Sequence, residues 1–597
     1  MALIAWCLLA CCLILLVLLP TGAFTMTLVV VTAVLSLGLA ALALLGKPSE
    51  HAPPLRGQRW VTWACVLLLG LFWITLIPLP ASIGFPAGKL RKAQNVHAYE
   101  TIENVVALEM MEPEPQGYAL TRNRSGTARV ALLAGAAIAA ALLASRMGPR
   151  ARSLYLRFVL ILGLVIAVLG YISMRSKPQG DNLWWIYPVP HGLPGPIACF
   201  TNPNHFAAFL AILCPIALAL FVHDIGKLRI IRAAVSLGSF AFLVLTIVYT
   251  QSRGALVGLS CGMLVCTAVY FLHRRWIPGI VLIGIGVCAV VSILSIPHPL
   301  IRERLQTFLD LKSTDSYQTR VAAWSDCKTI FKHYPVFGAG ANGYRVVYPQ
   351  FRTTSQGAQM TSHAENEYVQ WAVDTGILGI LAALILLMCY GRTAIVPRLK
   401  STDDAVLTVA TLGVLGTAAA HSFLDYPLHI PLYAIPLASI AGLILPQELT
   451  QLSGTSMRER AISALPVLCV ALLSVGLVRA WGNRLHYDSV HHMHRGELST
   501  IARALRYSPN HPFAWYYLGR KVSRTKTPET RLLAIQCLTR AGDLDPNNYK
   551  LWYRIGRRLH NLKAPEAAAR AFARVKELRD WHNVPYLPED LNKPPTP

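Results

Sequence analysis

Four short polar clusters interrupt an otherwise apolar chain, and their residue types suit proton transfer and anion binding. The stretch Ser362–Gly379 opens with His363, Glu365, Asn366 and Glu367 and runs directly into an apolar helical pattern. An imidazole or a carboxylate within hydrogen-bond reach of a hydroxyl can take its proton as the oxygen attacks, so His363 and Glu365 are both candidate bases. Once a helix has begun, two such positions point about 200° apart and are not interchangeable. Thr250–Leu259 places Ser252, Arg253 and Gly254 in a tight turn between two apolar runs. A cation beside the free N–H groups of a helix start makes an anion seat; a snorkelling arginine at the interface is the plainer reading. Tyr317–Cys327 carries Arg320 and Trp324 four apart. Alone, Arg320 reads as a solvated charge; beside Arg253 and His363 on one face it reads as a second anion ligand. Cys199–Leu210 offers Asn202, Asn204 and His205 at a helix start, which simple capping also explains. Asn204, His205, Ser252, Asn366 and Asp425 are the candidate substrate contacts.

The elements that must position these groups are membrane helices. Of 597 residues, 54% are hydrophobic and 14% charged, with mean hydropathy +0.45, more apolar surface than a soluble fold of this size can hide. About thirteen runs have the length that spans hydrocarbon. They lie near 2–20, 25–46, 60–79, 128–145, 153–172, 205–222, 233–250, 254–272, 278–296, 367–390, 404–423, 428–446 and 461–481. The first has neither a basic flank nor a small-residue cleavage site and reads as a retained helix. The formal charge of +25 falls largely in short loops, so it points to topology and anionic lipid, and not to nucleic acid. The 13 cysteines include no CxxC pair; most read as small hydrophobes, with Cys199, Cys327 and Cys537 outside the spans and a bridge between two of them open.

Loop charge sets orientation. Lys47, Arg56 and Arg59, then Arg146, Arg150 and Arg152, then Lys227, Arg229 and Arg232, then Arg274 and Arg275, then Arg392, Arg398 and Lys400, then Arg458 and Arg460 all fall on one face. Positive loops stay in the cytoplasm. The amino terminus is therefore expected inside, and the carboxyl terminus and the loops 81–127, 173–204 and 297–366 outside. All four polar clusters then meet on the outer face. No nucleotide-activated donor is available there, so a substrate must arrive already activated in the membrane. Two cations and a base suit one reaction: a glycan leaves a lipid diphosphate as an acceptor hydroxyl attacks its anomeric carbon. Arginines can hold the departing diphosphate without a metal. The single Asp-x-Asp, Asp543–Asp545, lies in the tail, against a metal-dependent nucleotide-sugar transferase. Gly338–Gly343 lacks the βαβ context of a dinucleotide fingerprint.

In their order, "SRGALVGL", Arg320–Trp324, "PVFGAG" at Pro335–Gly340 and "HAENEYVQWAVDTGILG" resemble the O-antigen ligase and polymerase family, which includes the bacterial O-linking oligosaccharyltransferases. "CFTNPNHFAAFL" and "HSFLDYPLHIP" (His421–Pro431) are similar to further segments of that family. The resemblance covers about 200–450. It implies an all-α, polytopic, GT-C-like membrane bundle with a large outer loop. It implies an undecaprenyl-diphosphate glycan donor and cofactor- and metal-independent, inverting transfer in a bacterial inner membrane. Arg253 and Arg320 take the diphosphate-binding role. The family base is usually the histidine of a His-Asn pair; here Glu365 precedes Asn366 and the histidine is His363, so either residue takes that role. The acceptor is lipid A core, another glycan or a protein.

The expected domains are 1–199 (N-terminal helices), 200–450 (catalytic region with outer loop 297–366), 451–481 (last span), 482–580 (helical repeats) and a disordered 581–597. Ala504–Gly519 and Ala541–Gly556 align without gaps, matching Pro509 to Pro546 and Trp515 to Trp552. The offset of about 37 is near the 34 of tetratricopeptide repeats, and such a tail would dock a protein partner or the glycan. A polysaccharide transporter and a non-catalytic scaffold are the rival readings.

Overall fold

The computed structural model describes residues 2–18, 24–45, 60–77, 119–175, 182–183, 187–188, 198–200, 202–294, 315–353, 362–401, 404–447, 457–481, 498–507, 511–524 and 527–581. Apart from a two-residue antiparallel pairing of 182–183 with 187–188, the described elements are helices. Of the expected disordered end, 581–597, Trp581 closes the last described helix and the rest lies outside the described residues, as does most of the loop 81–127.

The membrane part contains α1 (Ala2–Leu18), α2 (Phe24–Leu45), α3 (Trp60–Leu76), α4 (Arg124–Ser145), α5 (Pro149–Arg175), α6 (Pro203–Gly226), α7 (Ile230–Thr250), α8 (Arg253–Leu272) and α9 (Trp276–Leu294). After the long loop with α10 (Asp315–His333) and α11 (Tyr344–Phe351) come α12 (Glu367–Tyr390), α13 (Ala405–His421), α14 (Pro431–Gly442) and α15 (Met457–Trp481). A π-turn, Gly391–Ile395, carries α12 on to Lys400. Among the described residues eight helices are long and apolar enough to cross a membrane: α2, α4 to α8, α12 with its extension, and α15. The chain is a polytopic helical membrane protein. At the other five expected positions stand shorter apolar helices, α1, α3, α9, α13 and α14. The 12 residues of α14 reach only about 18 Å, less than the hydrocarbon thickness.

The centre of the bundle is α6, whose apolar residues from Phe206 to Leu220 are almost all inaccessible. It packs on α7, α8 and α13. Small residues let α8 and α13 approach closely: a Cβ on Gly262 would fall 1.9 Å from Thr417 Oγ1 and 2.9 Å from the Gly413 carbonyl. In lipid, where burial drives helix pairing weakly, such close backbone packing holds the pair. It also fixes the site, because Arg253 begins α8 and His421 ends α13. The opposite ends of α6, α8 and α13 carry Lys227, Arg275 and Asp404. His273 Nε2 there lies 3.2 Å from the Arg398 carbonyl. The expected basic loops after α6, α8 and α12 therefore gather at one end, and the polar clusters at the other.

The tail is built of α16 (Leu498–Tyr507), α17 (Pro512–Val522), α18 (Pro528–Leu544), α19 (Tyr549–Asn561) and α20 (Pro565–Trp581). The two aligned glycines mark equivalent crossings: Gly519 faces Ala534 and Leu538 of α18, and Gly556 faces Phe572 of α20. None of the described cysteines is bridged; Cys199, Cys327 and Cys537 are each buried as thiols.

Candidate functional site

The site rests on a break in α12. Gly376 sits at φ +63°, ψ −161°, which interrupts the helix near its start. The freed backbone groups are paired by the loop Pro335–Ala339: Ile377 N–H donates to Pro335 O (2.8 Å), Leu378 N–H to Val336 O (3.2 Å), and Ala339 N–H to Val373 O (2.9 Å). Only glycine fits here, since a Cβ at Gly376 would come within 2.5 Å of the Val336 carbonyl. Irregular backbone near the membrane is tolerated where protein satisfies it in this way. The glycine-rich loop does bind an anion, but one from its own chain. The Asp374 carboxylate accepts from the backbone N–H groups of Asn342 (2.8 Å) and Tyr344 (2.7 Å).

From this anchor a polar chain leads to the candidate base. Gln370, one turn before Asp374, places its amide nitrogen 3.4 Å from that carboxylate. Its Oε1 accepts from Ala364 N–H (3.0 Å) and lies 3.2 Å from His363 Nδ1. Gln370 Nε2 is also close to Nδ1, at 3.0 Å; in the tautomer with the proton on Nδ1, directed at Oε1, the Nε2 lone pair is available. The imidazole stacks on Tyr426 at 3.8 Å and 12°, with His429 4.7 Å away. His429 is held by Glu367 at 3.4 Å, and Glu367 also accepts from Leu428 N–H, so this carboxylate ties the start of α12 to the turn Pro427–His429.

Helix α10 closes the site from the loop side. Arg320 Nη2 donates to Glu365 Oε2 at 3.3 Å, and one turn on Trp324 Nε1 donates to the Ala364 carbonyl at 2.8 Å. Glu365 itself has φ +54°, a left-handed residue at the bend between His363 and the helix. Asn366 is the N-cap of α12, its side chain accepting from Tyr368 and Val369 N–H. On the far side, Asp425 lies 3.3 Å from His205 Nε2 and 3.5 Å from His421 Nε2, all three buried. His205 meets Tyr426 edge-on at 4.7 Å, which links this trio to His363.

The candidate residues are therefore not evenly placed. His363, Glu365 and Arg320 converge, and Asp425 and His205 join them through Tyr426. Ser252 caps α8, its hydroxyl accepting from Ala255 N–H at 3.4 Å. The turn that carries Arg253 packs on the same corner, because the next residue, Gly254, has His421 and Leu424 as neighbours. Asn204 is half-buried and its backbone is capped by Asn202. Sequence reading missed Gln370, Asp374, Tyr426 and His429. The spacing of Gln370 and Asp374 on one helix face was a usable signal; the contribution of Tyr426 and His429 depends on α13 and α14 folding back.

Charge in the site is strongly conditioned. Burial, with the positive charge of His429 and Arg345 added, holds His363 well below its usual value and keeps it neutral. Burial and the nearby Asp425 push Glu365 up, against the pull of Arg320. Burial alone would raise Asp425, but His205 and His421 outweigh it and hold the carboxyl far down. Burial likewise opposes charge on His429, yet Glu367 wins and raises it. Among the described residues no three His, Cys, Asp or Glu side chains converge as a metal-binding set.

Residues 238–384 match a family model described as O-antigen ligase. The matched stretch holds Arg253, Arg320, the glycine-rich loop, His363, Glu365 and the break in α12. A search of curated proteins found no match to the chain. The match supports, at family level, a membrane protein that transfers glycans.

Proposed function

We propose that this site moves a glycan from an undecaprenyl-diphosphate carrier to an acceptor hydroxyl on the outer face of a bacterial inner membrane. The observation that carries the reading is the neutral His363, oriented through Gln370 by Asp374 and set beside Glu365 and Arg320. The acceptor oxygen attacks the anomeric carbon and its proton passes to His363 Nε2. The bond from that carbon to the diphosphate oxygen breaks on the opposite side, inverting the centre. Arg320, held by Glu365 through one nitrogen, keeps further N–H groups for the departing diphosphate, and Arg253 supplies a second cation from the start of α8. Charge that develops on the leaving group is met by fixed donors, the largest contribution in reactions of this kind.

The raised value of Glu365 favours a second reading, in which that carboxylate is the base and His363 orients the acceptor. Asn204, His205, Ser252, Asn366 and Asp425 shape the pocket walls around donor or acceptor. The basic ends of α6, α8 and α12 support a site on the outer face, opposite the positive loops, and the reading puts the tail, a tetratricopeptide-like array, on the same side. The acceptor is lipid A core or a growing glycan, or a protein. The test is transfer by the purified chain from a lipid-linked glycan to each acceptor, with His363→Ala, Glu365→Ala and Arg253→Ala compared at equal protein levels. Unchanged transfer in all three removes the enzyme reading; transfer that fails only in His363→Ala identifies the base.

A further inference from the structure

At the end of the bundle away from His363 lies a cavity of about 330 Å³ that the proposed reaction does not use. It is lined by Arg152, His223, Lys227, Arg275 and Asp404, with Ser153 at its mouth. Its distance from the site follows from one helix: His205 and Lys227 stand at opposite ends of α6, about 33 Å apart along the axis. The volume is within the range of about 300–1,000 Å³ usual for small-ligand pockets.

The lining is cationic and partly fixed. Arg152 is buried and donates to the carbonyls of Met147 (2.7 Å), Ser145 (3.3 Å) and Leu445 (3.4 Å), so its charge is locked in the wall. Lys227 and Arg275 are exposed, with their charges at the ends of long side chains. Among the described residues the lining holds one carboxylate, Asp404, which lies 3.9 Å from Arg398. The neighbouring Asp224 is fully buried and held by Arg157 at 2.9 and 3.0 Å, which leaves the pocket cations uncompensated by it. Apolar surface flanks it along the chain: Leu154, Leu228 and Trp276, each next in sequence to a lining residue, are well exposed. A basic pocket flanked by apolar surface at a helix-bundle end suits an anionic head group whose chains lie along the outside.

We propose that this cavity seats the phosphate of an anionic phospholipid, with Lys227 and Arg275 as its adjustable ligands and Arg152 as a fixed charge. The experiment uses the full chain, delipidated and returned to nanodiscs of phosphatidylcholine alone or with phosphatidylglycerol, and reads bound lipid by native mass spectrometry. Phosphatidylglycerol is retained over phosphatidylcholine, and Lys227→Glu with Arg275→Glu weakens that retention about tenfold or more. The pair Lys227→Arg with Arg275→Lys keeps it, which separates charge from folding, as does an unchanged melting temperature of the reversal variant. A parallel arm adds inorganic phosphate: displacement of the lipid at millimolar concentration would assign the seat to a soluble phosphate and overturn the lipid. Equal retention by wild type and the reversal variant overturns the site itself. Neither readout depends on glycan transfer.

Discussion

Arg320 Nη2 lies 3.3 Å from Glu365 Oε2, and this contact joins the outer-loop helix to the bend that presents His363. The pair is partly exposed, so its direct contribution to stability is small. Its value is positional. The Trp324 bond to the Ala364 carbonyl makes a second point of attachment one turn along, and two points fix the angle at which the guanidinium faces the site.

If Arg320 holds the leaving diphosphate as proposed, Arg320→Ala removes that donor and kcat/KM falls about 100-fold or more, the usual cost of deleting one charge-stabilising donor. Arg320→Lys restores part of this, because a point charge remains but the planar fork is lost. Glu365→Gln separates the two readings of the base: as an orienter of Arg320 its loss lowers the rate modestly, whereas loss of the base abolishes transfer. Steady-state kinetics with a lipid-linked glycan measures all three.

His363 yields a pH prediction. A base works unprotonated, and burial with the charge of His429 and Arg345 depresses His363, so transfer declines only as pH falls through a value below the ordinary 6.5. Arg345→Gln removes one of the positive charges. The imidazole then binds its proton more readily, and the acid limb of the rate profile moves up. If Glu365 is the base, its raised value is held down in part by Arg320, and Arg320→Gln instead moves the limb up. A pH–rate profile for each variant checks which arginine controls the limb.

Much of this arrangement was legible in the sequence, because it depends on local pattern. Arg320 and Trp324 fall on one face of a helix by spacing alone, and an Asn before an apolar run caps a helix wherever it stands. The start of α12 at Glu367 is visible for the same reason. The break inside α12 was not legible. Val373–Gly379 reads as continuous apolar helix, and the pairing that stabilises the break comes from Pro335–Ala339, more than 30 residues earlier. The glycine-rich loop was rejected as a nucleotide site for want of a βαβ unit, but no rule of spacing pairs its N–H groups with Asp374. Span counting had a similar limit: α13 and α14 are short, and the connection between them, Ser422–Ile430, carries Asp425, Tyr426 and His429 into the site.

The anchoring of that loop can be tested directly. Asp374→Asn keeps the shape but loses the charge that accepts two backbone N–H bonds, a loss of about 1.5–3 kcal/mol for bonds to a charged group. Gly376→Ala places a methyl within 2.5 Å of the Val336 carbonyl and a side chain in left-handed backbone, which adds about 1–2 kcal/mol of conformational strain before any clash. Both variants should lower the melting temperature in detergent and open the segment 335–343 to protease. Gln370→Ala, by contrast, keeps the Asn342 and Tyr344 bonds to Asp374 but releases His363 and the Ala364 N–H. It should lower the melting temperature by the cost of one unpaired buried N–H, about 1–3 kcal/mol, keep segment 335–343 closed to protease, and lose far more turnover than Asp374→Asn at equal folded protein, a split that a purely structural Gln370 would not produce.

The tail meets the outer loop through Arg352, just after α11, whose Nη2 lies 2.7 Å from Asp545 Oδ1, both residues about 3% exposed. Asn547 also donates to the Arg352 carbonyl, and Thr353 next along is bound to Asp326 of α10 at 2.9 and 3.1 Å. The helix that carries Arg320 is thus braced from the tail. Burial pushes Asp545 up against the pull of Arg352, so the pair carries a large desolvation cost. Arg352→Ala alone strands a buried carboxylate and should cost about 3–5 kcal/mol. Arg352→Ala with Asp545→Ala removes both charges, and most of that loss should return. If the tail braces the active helix, Asp545→Ala also lowers kcat while glycan binding is kept, and the double variant recovers stability without recovering turnover. Thermal melts and kinetics on the four forms of the cycle check both parts. Equal turnover in all four would leave the tail as a docking module with no hand in the chemistry.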